Sequence, residues 1–153
     1  ADPTRDVVVM VGDGSYLMMN SEIATSIALG LKITIIVLDN RGFGCINRLQ
    51  QGTGGKPFNN LLDPSAPQVD FAAHAASLGA VAEKVDGIAD LPAAIKRAKS
   101  ADRTTVIVID TNPAVSTKEG GAWWDVAVPE VSSLETVRAA RQSYEKAQKR
   151  QKI

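Results

Sequence analysis

Three unbroken apolar runs constrain this chain more than any other feature: DVVVMV (6–11), KITIIVLD (32–39) and TTVIVIDT (104–111). Runs rich in β-branched residues, with no polar alternation, suit strands buried on both faces of a parallel sheet. The first two flank a helical pattern from about Asn20 to Leu29, with Ile23, Ile27, Ala24 and Ala28 as its apolar face and Gly30 as its terminator. Strand, helix, strand is a βαβ unit. Further on, 70–79 reads as a helix opened by Asp70 and closed by Gly79. A short strand follows at 80–85 and a helix at 88–100, where Pro92 is tolerable only near the first turn. The order predicts an α/β three-layer sandwich with a mostly parallel sheet.

The connections are less regular. A short helix is expected around Ile46–Gln51. The segment 52–68 then carries three glycines and three prolines in 17 residues, and a loop of that length is usually a lid, a binding loop or disordered. Residues 1–115 read as the domain core. Residues 116–153 form a separate tract with adjacent Trp123 and Trp124 and a C-terminal helical extension. That helix has a thin stripe of Leu134, Val137, Ala140, Tyr144 and Ala147, and its basic end suits its dipole.

Composition mainly excludes. The chain has 153 residues, 44% hydrophobic and 22% charged, with seventeen basic residues against seventeen acidic ones. That balance gives no electrostatic argument for nucleic acid or a membrane surface, and no apolar stretch nears the roughly 18 residues of a membrane span. Cys45 is the only cysteine, so no internal disulfide can form, and a reducing cytoplasm is the expected compartment. Only about six polar residues precede the first strand, as in an excised piece of a longer protein.

In an open parallel sheet, ligands sit beyond the carboxyl ends of the strands. Two such ends carry suitable atoms: Gly12-Asp13-Gly14-Ser15 after the first strand and Asp39-Asn40-Arg41-Gly42 after the second. Glycines admit close approach of a ligand, and N–H groups ahead of a helix favour phosphate oxygens. Asp13 would repel a bare phosphate, but not one bridged by a divalent cation. Magnesium takes one or two protein oxygens together with phosphate oxygens. Asp13, the Asn40 side chain and a carbonyl near Gly42 could supply them. The competing reading of Gly-Asp-Gly is an ordinary strand-to-helix turn. Neither a GxGxxG fingerprint nor a Walker loop is present.

The block from Gly12 to Asn40, GDGSYLMMNSEIATSIALGLKITIIVLDN, resembles the signature of the thiamin-diphosphate-dependent enzymes. The resemblance implies magnesium held by Asp13, Asn40 and the Gly42 carbonyl, and a thiamin-diphosphate-binding fold. The cofactor contacts it implies are Gly12, Asp13, Gly14, Ser15, Asn40 and Gly42. Asp39 stands where Asn is commoner, at a position that is not a metal ligand. GDGSYLM, DNRGFGCINRLQ and WWDVAVPEVS together are similar to the ring-opening hydrolases of myo-inositol breakdown, which cleave a C–C bond of a cyclic trihydroxycyclohexane-1,2-dione. Acetolactate synthases and 2-oxo acid decarboxylases share the first block and stand as the alternative. A non-catalytic nucleotide- or partner-binding module is a further one.

In the family, a glutamate in a separate pyrimidine-binding domain, usually of a second subunit, activates the cofactor. This chain lacks that domain, so no catalytic residue is assigned and the chain is expected to be inactive alone, part of a homo-oligomer when full-length. Glu22 suits a helix dipole instead. Cys45 is expected near the substrate pocket as an inert thiol. His74 is expected in packing or at the surface, Phe43 and Ile46 at the cofactor or in the core, and Trp123 and Trp124 over the active site or an interface. Arg48 and Lys56 are expected at the substrate or in solvent.

Overall fold

The computed structural model describes residues 2, 4–115 and 126–150; Trp123 and Trp124 lie outside the described residues. The chain divides into two compact units.

The first unit, residues 1–42 and 63–112, is built on a four-stranded sheet. Its strands are β1 (Val8–Gly12), β2 (Thr34–Asp39), β3 (Val81–Val85) and β4 (Thr105–Asp110), ordered β1-β2-β4-β3 and parallel throughout. Helices α1 (Asp13–Met19), α2 (Glu22–Ala28) and α4 (Phe71–Ser77) cover one face. There Tyr16, Ile23, Phe71 and Ala75 pack with Ile35, Val37, Val106 and Val108. Helix α5 (Leu91–Ser100) covers the other, with Ala94 and Ala98 against Ile36, Val85, Ile107 and Ile109. The change of face has a topological cause. The step from β3 to β4 runs back toward β2, and a crossover of constant hand must then lie on the opposite side.

Local chemistry ends several elements where the sequence predicts. Gly30, at φ 65°, closes α2: its N–H reaches the Ile27 carbonyl and the Leu31 N–H reaches that of Ser26, the paired bonds of a Schellman terminus. The Asp70 side chain accepts the Ala73 N–H at 2.8 Å and caps α4. Leu91 and Pro92 open α5, where proline is harmless because the first N–H groups have no intrahelical partner.

The sequence reading differs from the structure in three places. The helix expected from about Asn20 is α2, but a further helix, α1, precedes it and begins at Asp13, directly at the end of β1, where a turn is expected. Extended Gly12 (φ −73°, ψ 160°) occupies the cap and the Asp13 carboxylate suits the positive helix end. The second difference lies in α2, where Ala24 and Ala28 face solvent and Ser26 is buried. The Ser26 hydroxyl bonds the Ile23 carbonyl at 2.7 Å and the Thr104 hydroxyl at 2.8 Å, so a polar residue fits the core side. Third, β1 is not buried on both faces: Val8 is 54% and Met10 61% exposed. It is an edge strand of this sheet, and α5 packs chiefly on β2, β3 and β4.

The second unit, residues 43–62 and 113–153, contains α3 (Gly44–Gly52) and α6 (Glu135–Gln148). In α6, Val137 is buried, and Leu134 just before it, Ala140, Tyr144 and Ala147 are half-buried, matching the expected stripe. The Thr136 hydroxyl donates to the Gly54 carbonyl at 2.6 Å, and Arg141 joins Glu145 and the Val128 carbonyl.

Candidate functional site

The carboxyl ends of β1 and β2 meet through one residue pair. Asp13, first in α1, is 4% exposed. Its Oδ2 accepts the Gly42 N–H at 2.6 Å. Its Oδ1 is buried and has no hydrogen-bond partner. A buried carboxylate oxygen left bare costs about 1–3 kcal/mol or more, so the site holds an acceptor without a donor.

The turn after β2 is built to present Gly42. Arg41 adopts left-handed φ 62° and Gly42 φ 139°, a stretch of backbone that L side chains rarely adopt. Two sets of bonds hold it. The Arg41 N–H donates to Asp39 Oδ1 at 2.9 Å, and the Arg41 guanidinium donates to the carbonyls of Asp63 (3.1 Å) and Ala66 (3.4 Å). Strained backbone fixed by several partners is a frequent companion of ligand sites.

Negative charge gathers at this end of the sheet. Burial pushes the Asp39 carboxyl above its ordinary range; Asp13 and Asp110 push the same way, while the Arg41 N–H and Lys84 oppose them. Lys84 is itself paired with Asp110 at 2.9 Å. Such a field favours a cation. Among the described residues no group of three or more His, Cys, Asp or Glu could hold a metal, so a cation here would draw on Asp13 together with amide and carbonyl oxygens. That is an oxygen-donor set suited to magnesium, which keeps most of its shell for water or phosphate. Room exists beside it: a Cβ built on Gly12 would meet no atom within 4 Å.

Of the residues singled out from sequence, Asp13 and Gly42 are thus in direct contact. Gly12, Gly14 and Ser15 adjoin Asp13, with Gly14 buried and Ser15 exposed, and half-buried Asn40 lies in the same turn as Gly42. Phe43 and Ile46 are 43% and 51% exposed, so neither fills a core. Cys45 and Lys56 are exposed. Arg48 donates to the Pro113 carbonyl at 2.7 Å. His74 has a defined partner that sequence reasoning missed. The buried Tyr16 hydroxyl lies 2.8 Å from its Nδ1, and the Tyr16 ring meets Phe71 edge-on at 5.4 Å. The 58 residues separating the pair leave no local signal. The part of Arg41 in holding the turn is likewise non-local, since its acceptors lie 22 and 25 residues on.

The first unit is thus a parallel α/β unit with a bare acidic oxygen and open glycine backbone at its strand ends. The chain belongs to the thiamine pyrophosphate enzyme family, C-terminal TPP binding domain, whose family model matches residues 1–109. It is 39% identical over 153 residues to 3D-(3,5/4)-trihydroxycyclohexane-1,2-dione hydrolase 2 of Bacillus cereus, covering 94% of this chain and 24% of that relative. The corresponding hydrolase of Bacillus anthracis gives the same identity and coverage. The chain therefore spans about a quarter of the length of these relatives. Among solved structures, the thiamine diphosphate-dependent 4-hydroxybenzoylformate decarboxylase of Rhodococcus jostii RHA1 matches with a TM-score of 0.63 and 27% identity, over 72% of this chain and 20% of that one. Benzoylformate decarboxylase of Polynucleobacter necessarius matches with a TM-score of 0.63 and 26% identity, over 73% and 20%.

Proposed function

We propose that this chain is the diphosphate-binding part of a longer thiamin-diphosphate-dependent hydrolase that opens the ring of trihydroxycyclohexane-1,2-dione by C–C cleavage in myo-inositol breakdown. The buried, unpartnered Oδ1 of Asp13 carries the assignment of the seat. A magnesium ion is the partner it lacks, and Asn40 and the Gly42 carbonyl are the further ligands. Gly12, Gly14 and Ser15 would admit the diphosphate against bare backbone. In this reading residues 1–115 form the cofactor core and 116–153 a flanking segment.

Bound thiamin diphosphate would supply the nucleophilic carbon and the electron sink; the chain's own share is binding and orientation. Asp13 fixes the cation, the Gly42 N–H orients that carboxylate, and Arg41 holds the turn from which both Asn40 and Gly42 project. A pyrimidine-binding domain, contributed by a second subunit of a homo-oligomer, completes the catalytic machinery, and the lone unpaired thiol suits a reducing cytoplasm. The ring-opening reaction is supported by 39% identity over 94% of the chain. A 2-oxo acid decarboxylase is the second reading, favoured by the likeness to the two benzoylformate decarboxylases.

Thermal-shift titration of the full-length protein tests the seat, using magnesium with thiamin diphosphate, magnesium with pyrophosphate, and NAD. A ligand at about 100 times its dissociation constant stabilises by about 2.7 kcal/mol. Magnesium-dependent stabilisation by both diphosphates, lost in Asp13→Ala, is the expected result. Stabilisation that survives in the variant, or that NAD alone produces, overturns it. Turnover of the cyclic dione rather than pyruvate or benzoylformate then separates the two reactions.

A further inference from the structure

The two halves of the seat come from different places in the chain and share one support. Asp13 opens α1, and Asn40 and Gly42 lie in the turn after β2. Residues 63–77, a connection followed by α4, bond to both. The Arg41 guanidinium donates to the Asp63 and Ala66 carbonyls, which holds the turn. On the other side, the Tyr16 ring of α1 lies edge-on to Phe71 and His74 at 5.4 and 5.7 Å. Its hydroxyl is 2.8 Å from His74 Nδ1.

α1 depends on that contact. It has seven residues, under two turns, so few internal hydrogen bonds fix it. Leu17, Met18 and Met19 are 50%, 72% and 67% exposed. Tyr16 is the one buried apolar side chain of α1, three residues beyond Asp13 and hence on the same helix face. A shift of Tyr16 is therefore carried to the Asp13 carboxylate, whose Oδ2 accepts the Gly42 N–H at 2.6 Å.

The Tyr16 bond has a direction. His74 Nδ1 is the hydroxyl's partner among the described residues, so the phenol donates and Nδ1 accepts, leaving the proton of the neutral ring on Nε2. Ring contacts alone would let the phenol slide, whereas a bond to a single atom fixes it. α4 is itself anchored, since Asp70 caps its first turn and Phe71 and Ala75 are buried in the core.

We infer that His74 is a positioning residue of the diphosphate seat: through Tyr16 it sets where α1 places Asp13, while Asp63 and Ala66 of the same segment set the Gly42 turn through Arg41. The inference rests on the reading of Asp13 as a cation ligand, and extends that site to a residue of α4.

Two readouts on the full-length protein test it: magnesium affinity by calorimetry at saturating thiamin diphosphate, and amide exchange at Gly42 in the metal-free protein. His74→Leu removes the acceptor and keeps bulk. It should weaken magnesium binding and speed Gly42 exchange, each by roughly threefold or more. His74→Asn, whose side-chain oxygen can stand in for Nδ1, should restore both. Tyr16→Phe should match His74→Leu, and the double variant should be no worse than either, because all break the same bond. Ser26→Ala breaks a buried bond to Thr104 elsewhere in the unit and should leave both readouts at the parent level. Unchanged magnesium affinity or Gly42 exchange in His74→Leu overturns the inference. So do losses of equal size in His74→Asn or Ser26→Ala, which would reduce His74 to packing. A parent that takes up no magnesium removes the seat and this inference with it. Gly42 exchange that still responds to His74 would then show that the metal reading failed and the support did not.

Discussion

The Gly42 N–H donates to Asp13 Oδ2 at 2.6 Å, tying the ends of two neighbouring strands across 29 residues of sequence. The bond turns the carboxylate so that its second oxygen is buried without a partner. An acceptor buried in this way costs free energy that a donor or a cation would recover.

The first prediction concerns that oxygen. Asp13→Asn keeps the shape and an acceptor for Gly42 while removing the buried charge. Metal-free, the variant should be as stable as the parent or more so, because about 1–3 kcal/mol of unsatisfied burial is at stake. The magnesium-dependent rise in Tm should vanish. A variant less stable in the metal-free state, with the magnesium increment intact, would assign Asp13 a purely structural part.

Tyr16 gives the second prediction. Its hydroxyl and His74 Nδ1 form one hydrogen bond in a part-buried setting. Tyr16→Phe should cost about 1 kcal/mol at neutral pH. Burial raises the Tyr16 pKa above its ordinary 10.0, so between the unfolded and folded values the native state holds the extra proton. Stability from this group is complete below about pH 10 and declines as pH rises through the folded value. The gap between parent and variant should therefore narrow in alkali. Urea midpoints from neutral to strongly alkaline pH measure it, and a gap that widens would contradict the burial argument.

The parts legible in the sequence are those fixed locally. Gly30 and Asp70 announced helix ends because their geometry depends on four or five successive residues. The apolar runs announced parallel strands, and the spacing of Asp13 from Asn40 announced neighbouring strand ends. What stayed hidden is non-local. That β1 lies at an edge follows from where β3 and β4 insert, and no pattern within 6–11 encodes it. The bonds from Arg41 to Asp63 and Ala66, and from Tyr16 to His74, depend on chain segments brought together only by the completed sheet.

A third prediction lies in the buried hydroxyl cluster. Thr104, 0% exposed, accepts the Ile33 N–H at 3.3 Å, and its one hydroxyl proton is shared between Ser26 Oγ at 2.8 Å and the Leu31 carbonyl at 3.1 Å. Thr104→Val keeps the volume but strands these groups, and should cost about 2 kcal/mol. Ser26→Ala should cost less, since Thr104 keeps its backbone partners. Because both variants break one shared bond, the double variant should be more stable than additivity requires. A double-mutant cycle by urea unfolding measures this, and strict additivity would mean that the two hydroxyls do not interact.

Arg41 gives the last prediction, because its side chain and its backbone conformation make opposite demands. At φ 62° a residue with a Cβ sits in a region costing roughly 1–2 kcal/mol, and the guanidinium bonds to Asp63 and Ala66 offset that cost. Arg41→Ala removes the bonds and keeps the cost. Arg41→Gly removes the bonds and the cost together, although a freer unfolded chain returns about half of the benefit. Both variants should be less stable than the parent, with Arg41→Gly above Arg41→Ala by about 0.5–1 kcal/mol. The reverse order would mean that Arg41 is not held left-handed. The same comparison extends to the site: whichever variant lets the turn relax should also weaken magnesium-dependent stabilisation, because the Gly42 N–H that orients Asp13 is the next residue along.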